Sequence, residues 1–179
     1  LRQEIQIQTG MKNTRLVATV GHDSAAAVAA IPDFGENKLY ISIGTNVSMG
    51  VERSECLLSR EGYLKGFKNT GGIDRKKIIY RDFSACWHLN EFIRTRKEQG
   101  ITYSFVDLIN MALEVKNPVP WFDVEVLSFN EAGGDFCRKM NQYFAQTGQR
   151  ELTEDGEFVR SIYESIVLKI RHYAEALKE

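Results

Sequence analysis

The stretch RLVATVGHDSAAAVAA, residues 15–30, decides how the chain is read. Within it LVATV, residues 16–20, is a short run of apolar and β-branched side chains, the pattern of a strand buried on both faces. Gly21 ends the run, and His22, Asp23 and Ser24 follow where the backbone turns. The small-residue run 24–30 then predicts a close-packed helix that stops near Pro32. Strand, polar turn and helix in that order set the Asp23 carboxylate at the carboxyl end of a strand, where open α/β sheets bind ligands. Aspartate is also a favoured helix N-cap, and this turn alone does not separate the capping role from the functional one.

The 179 residues suffice for one domain with a real core, and we read residues 1–179 as a single domain. With 43% hydrophobic and 26% charged residues the composition is that of a soluble globular protein. A net charge of -1 gives no general attraction to nucleic acid or to an anionic membrane surface. No apolar run reaches membrane-spanning length, and LRQEIQIQTG lacks the basic start and apolar centre of a signal peptide, so a cytoplasmic protein is expected. The sequence begins at Leu1 without a methionine, which points to a piece of a longer protein.

Downstream, residues 38–52, KLYISIGTNVSMGVE, hold two β-rich runs around Gly44, Thr45 and Asn46 and predict a hairpin. A glycine followed by a hydroxyl residue at a hairpin tip lets an anion approach backbone N–H groups and a hydroxyl, although an ordinary tight turn has the same sequence. Residues 54–67 read as an irregular excursion and Asn69-Thr70-Gly71-Gly72 as a second turn. A strand is expected over 76–80, then a helix over 82–97 with Asp82 as N-cap. On that helix Phe83, Cys86, Trp87 and Ile93 define a buried stripe into which Asn90 falls. Ser104 and Asp107 open a further amphipathic helix through Leu113, residues 136–147 form another that ends at Gly148, and a long last helix runs over 153–178. Its apolar face is Phe158, Ile162, Ile166, Ile170, Tyr173 and Leu177.

Taken together, GHDSAAAVAAIP, YISIGTNVSMGVE, FKNTGG, the helix expected from Asp82 and TGQRELTEDGEFVRSIYESIVLKIRHYAEAL resemble the second half of a carbohydrate kinase of the FGGY family. The resemblance implies an α/β fold of the actin-like, ribonuclease H-like ATPase kind, with a central mixed sheet and packed helices, here the core of an incomplete second domain. It implies an ATP- and Mg²⁺-dependent enzyme that transfers the γ-phosphate to a hydroxyl of a keto sugar. By the same resemblance Asp23 is the general base, His22, Asp23, Ser24 and Asp82 flank the sugar, and Gly44, Thr45 and Asn90 lie near the nucleotide. Phosphoryl transfer depends on positioning and charge neutralisation, with a carboxylate to hold the attacking hydroxyl, and those residue types fit it.

Such kinases usually carry Trp, Glu, Asn and Gln where this chain has Asn46, Thr70, Asp82 and Asn90. A carboxylate in place of an amide at Asp82 removes hydrogen-bond donors, so the acceptor sugar need not be the usual one. The N-terminal domain of such a kinase would precede Leu1, and without it the isolated chain is expected to be inactive. The contrasting reading is a non-catalytic actin-like domain that binds a nucleotide or a protein partner.

Cys56, Cys86 and Cys137 are odd in number, widely spaced and without a C-x-x-C pair, which suits free thiols in a reducing compartment. With His22, His88 and His172 they are scattered without the spacing of a zinc knuckle, so no metal site is expected. Thiol titration of the unfolded, unreduced chain should find all three cysteines, whereas a single reactive thiol would reveal a disulfide.

Overall fold

The computed structural model describes residues 1–15, 17, 23–32 and 38–178, with only the backbone at Ser24 and Leu127. The chain opens with α1 (Gln3–Thr9), closed by Gly10 in the left-handed region at φ 69°. The strand expected over 16–20 lies outside the described residues except for Val17, which is exposed and joins no ladder. The small-residue run forms α2 (Asp23–Ala29), with Asp23 as its first helical residue.

The hairpin expected around Gly44 forms as β1 (Leu39–Ile43) and β2 (Asn46–Arg53), paired antiparallel from Leu39↔Val51 to Ile43↔Val47. Two corrections concern the next segment. Residues 54–67 are not wholly irregular, because Ser59 caps a short helix, α3 (Arg60–Leu64), by accepting the Gly62 N–H. The Asn-Thr-Gly-Gly run is not a turn but β3 (Lys68–Gly71), since β4 (Lys77–Ser84) supplies its backbone partners. The turn proper follows it, with Asp74 and Arg75 at positive φ and the Gly72 N–H bonded to the Lys76 carbonyl. The sheet order is β1-β2-β4-β3, and every pairing among the described residues is antiparallel, so the parallel component of the expected mixed sheet is not seen there.

Alternation along the strands gives this sheet two unlike faces. Val47 and Met49 of β2 and Phe83 of β4 point inward and join the main core. Ser48 and Gly50, with Asp82 and Tyr80 opposite them, point the other way. The main core is closed by α4 (Cys86–Glu98), α5 (Phe105–Glu114), α6 (Phe136–Gln146) and α7 (Asp155–Ala176). The capping box at Ser104 and Asp107 forms as expected, and Gly148 follows α6 at φ 70°. Phe158, Ile162, Ile166 and Tyr173 of α7 are buried, with Ile170 and Leu177 packed at the margin. Where α5 crosses α7, a Cβ on Gly156 would stand 3.0 Å from the Met111 carbonyl, so glycine sets the closeness of that contact.

The expected start of α4 is also corrected. Asp82 lies within β4 and the helix begins four residues later at Cys86, its N-cap position held by Ala85 without a side-chain cap. The first donors of the helix are satisfied from afar. Ala85 and Trp87 N–H groups bond to the Thr45 carbonyl at 3.0 and 3.1 Å, and the Cys86 N–H to the Gly44 carbonyl at 3.3 Å. This start changes the buried stripe to His88, Leu89, Glu91, Phe92 and Thr95, while Asn90 is exposed. Buried Glu91 is held by Arg94 at 3.1 Å and by the Gly133 N–H at 3.2 Å. All three cysteines are free, Cys56 exposed and Cys137 buried, and burial pushes the Cys137 thiol up to about 12.

His88 is fully buried, stacked on Phe136 and met edge-on by Phe122 and Phe129. The carbonyls of Val124, Phe129 and Ser84 lie near the ring, yet neither nitrogen has a partner in hydrogen-bond geometry. Burial pulls its pKa from 6.5 down to about 4. The unfolded chain therefore binds this proton first as pH falls. The stability due to the neutral ring is whole above pH 6.5 and is lost as the pH drops to about 4. The slope is about 1.4 kcal/mol per pH unit, or roughly 3 kcal/mol across the window. Urea unfolding from pH 7 to pH 4 should show this decline, and His88→Phe should flatten it.

Candidate functional site

The outer sheet face is covered in part by α2. Ala25 and Val28 are buried against Tyr40 and Ile78, with Tyr80 at the edge of this second, small apolar cluster. The rest of that face is polar by register. Ser42 of β1 pairs with Ser48 of β2, and Ser48 pairs in turn with Asp82 of β4. One row of three strands thus presents two hydroxyls and a carboxylate on the side that α2 covers.

Between α2 and this face lies a cleft of about 530 Å³ lined by Asp23, Ala27, Ile31, Tyr40, Ser42 and Ser48, among others. A second cleft of about 190 Å³ is lined by Ala25, Thr70, Ile78, Tyr80 and Asp82 and shares Val28, Tyr40 and Ser48 with the first. The Tyr40 hydroxyl stands 3.5 Å from the Ser48 Oγ. Burial raises the Tyr40 pKa against the opposing Ser48 hydrogen bond, and the Asp82 charge adds to the rise. Tyr40 is therefore a neutral hydroxyl at physiological pH, able to donate or accept. The first cleft, with Ala27, Val28 and the Asp23 carboxylate on α2 and the hydroxyls of Tyr40, Ser42 and Ser48 on the sheet, suits a small polyhydroxyl ligand.

The structure brings Asp23 and Asp82 to two clefts with a shared wall. Gly44 and Thr45 stand at the hairpin tip, directly beyond Ser42 along β1 and Asn46 along β2. Asn90 lines neither cleft; it is exposed on α4, one turn beyond Cys86, whose N–H is bonded to the tip. His22 lies outside the described residues, and Ser24 contributes only a backbone position in α2. Tyr40, Ser42 and Ser48 line the first cleft and were passed over by the motif reading. Their signal was present as period-two alternation in LYISI and NVSMGVER, which sets all three on one face.

Asp82 is held by Lys68, whose Nζ stands 3.2 Å from Oδ2. Among the described residues no group of three or more His, Cys, Asp or Glu side chains is placed to hold a metal ion, and no helix is long and apolar enough to cross a membrane.

No protein-family model matches the chain. Individual proteins do: along nearly its whole length the chain is similar to sugar kinases. Those relatives are rhamnulokinases. The rhamnulokinase of Bacteroides thetaiotaomicron is 30% identical over 184 residues, 99% of this chain and 36% of the relative. That of Enterococcus faecalis is 27% identical over 160 residues, covering 88% of this chain and 31% of the relative. That of Oceanobacillus iheyensis is 26% identical over 185 residues, covering 100% of this chain and 37% of the relative. The resemblance carried by the turn motifs thus extends along the chain, which spans about a third of the length of the curated relatives it matches.

Gly50 lies between Tyr40 and Tyr80 on the cleft face. A Cβ there would stand 2.3 Å from the Ile79 carbonyl, 2.9 Å from the Tyr80 Cβ and 3.0 Å from the Tyr40 ring. Gly50→Ala should therefore cost about 1–3 kcal/mol in denaturant unfolding as β2 and β4 are forced apart. Gly71→Ala, where a Cβ meets nothing within 4 Å, is the control and should stay within about 0.5 kcal/mol.

Proposed function

We propose that this chain is the core of the second, actin-like domain of an ATP- and Mg²⁺-dependent kinase that phosphorylates a keto sugar of the rhamnulose type. The reading is supported above all by the cleft that Asp23 shares with Ser42, whose strand runs straight into the Gly44-Thr45 tip. Similarity to rhamnulokinases along almost the whole chain agrees with it.

In this reading Asp23 accepts the proton of the acceptor hydroxyl while that oxygen attacks the γ-phosphorus and the bond to the leaving diphosphate breaks. Ser42, Ser48 and the Tyr40 hydroxyl orient the remaining hydroxyls of the sugar, with the apolar flank of α2 against its carbon skeleton. Holding the hydroxyl against its base supplies the larger part of such a rate enhancement. His22 and Ser24 flank the sugar in the same reading.

The Gly44 N–H is taken by the Asn46 carbonyl at 2.9 Å, and a Cβ on Gly44 would meet nothing nearer than that carbonyl at 3.8 Å, which leaves space beside the tip for a phosphate. Gly44 and Thr45 would hold the nucleotide phosphates, with Asn90 farther along α4. When bound, Mg·ATP would supply the transferred phosphoryl group and charge neutralisation. The other wall of the cleft belongs to the part of the kinase outside these residues, so the isolated chain is expected to release no ADP in response to sugar.

The test uses the full-length protein with a panel of keto sugars. Asp23→Asn retains the shape of the side chain but cannot take up the proton. Phosphorylation should fall by about 10² or more with the melting temperature nearly unchanged. Activity within a few-fold of wild type would remove Asp23 as base. A full-length protein that binds nucleotide but phosphorylates no sugar would replace this reading with that of a non-catalytic actin-like domain.

A further inference from the structure

The second, smaller cleft contains a charge arrangement that the reaction at Asp23 does not use. Lys68 stands directly opposite Tyr80 in the β3–β4 ladder. Its side chain is about half exposed but lies along the sheet face. The ammonium lies 5.8 Å from the centre of the Tyr80 ring and 3.2 Å from Oδ2 of Asp82, two residues farther along β4 on the same face. Asp82 is about one-third exposed, and Oδ1 has no hydrogen-bond or ion-pair partner among the described residues. Around it the cleft is lined by Ser48, Thr70 and Tyr40, with Val28 of α2 as the wall shared with Asp23's cleft.

We propose that Lys68 is a positioning residue that fixes the Asp82 carboxylate so that Oδ1 accepts a hydrogen bond from a second hydroxyl of the polyhydroxyl acceptor whose reacting hydroxyl sits at Asp23. This rests on the sugar-kinase reading of the Asp23 cleft. A carboxylate with two oxygens can serve a fixed cation with one and a ligand hydroxyl with the other. A free Asp rotates about χ2 and would lose entropy on binding, whereas one tethered by an ammonium presents its acceptor in place. As a partly exposed ion pair the contact contributes little to folding, which separates its structural from its binding role.

The experiment uses the full-length protein, a keto sugar that it phosphorylates, and steady-state kinetics in both substrates. Lys68→Met should raise the sugar KM about tenfold, leave kcat within about twofold and leave the ATP KM unchanged. Lys68→Arg, which restores a cation at that place, should return the sugar KM to within about threefold of wild type. In an Asp82→Ala background, which itself raises the sugar KM, Lys68→Met should add nothing, because it acts only through Asp82. An unchanged sugar KM in Lys68→Met, or effects that multiply in the double variant, overturns the inference while the kinase reading stands. Should Lys68→Met not fold, an unchanged sugar KM in Asp82→Ala overturns it in the same way. A protein that phosphorylates no sugar overturns the kinase reading and this inference with it.

Discussion

The structure depends on strict alternation along β2 and β4. Val47 and Met49 are wholly buried in the main core, and Ser48, between them, faces the opposite side. Because the side-chain period of a strand is two, the residues that anchor the sheet and those that furnish the cleft are locked in register: a slip of one would drive Asp82 and Ser48 into the aromatic core and expose Phe83 and Val47. The hydrophobic effect that holds the sheet on α4 and α7 thus also aims the polar row at α2.

Among the described residues the two faces of the sheet join different apolar clusters. The inner face joins a large cluster that includes Phe92, Phe122, Phe129, Phe136 and Phe144, whereas α2 is attached through Ala25, Val28, Tyr40 and Ile78. Among the described residues the helix carrying Asp23 thus covers its cleft through an apolar patch distinct from the core beneath the sheet.

Local patterns in the sequence conveyed the hairpin, the capping box at Ser104 and the buried face of α7, because each rests on contacts between residues close in the chain or on one helical period. The start of α4 was not legible, for its first donors are satisfied by carbonyls some forty residues upstream and no Ser, Thr, Asp or Asn stands at its N-cap. Asp82 resembled such a cap and took the strand's last residues into the helix. The Asn-Thr-Gly-Gly run misled in the same way: turn chemistry is local, but β4 offered ladder partners, and Asn69 used its side chain to bind the Leu57 backbone instead. At the site, Asp23 stood out through its motif, whereas Tyr40, Ser42 and Ser48 became visible only when the strands were paired.

The bonds between the hairpin tip and α4 carry one more consequence, for how this region can vary. Surface turns ordinarily tolerate added or deleted residues, but here two consecutive carbonyls, Gly44 and Thr45, are already committed to three N–H groups at the head of a helix. Lengthening the turn would strand those donors at about 1–3 kcal/mol each. Shortening it would draw α4 out of the aromatic nest around His88. The turn is therefore constrained in length by its backbone, whatever side chains it carries.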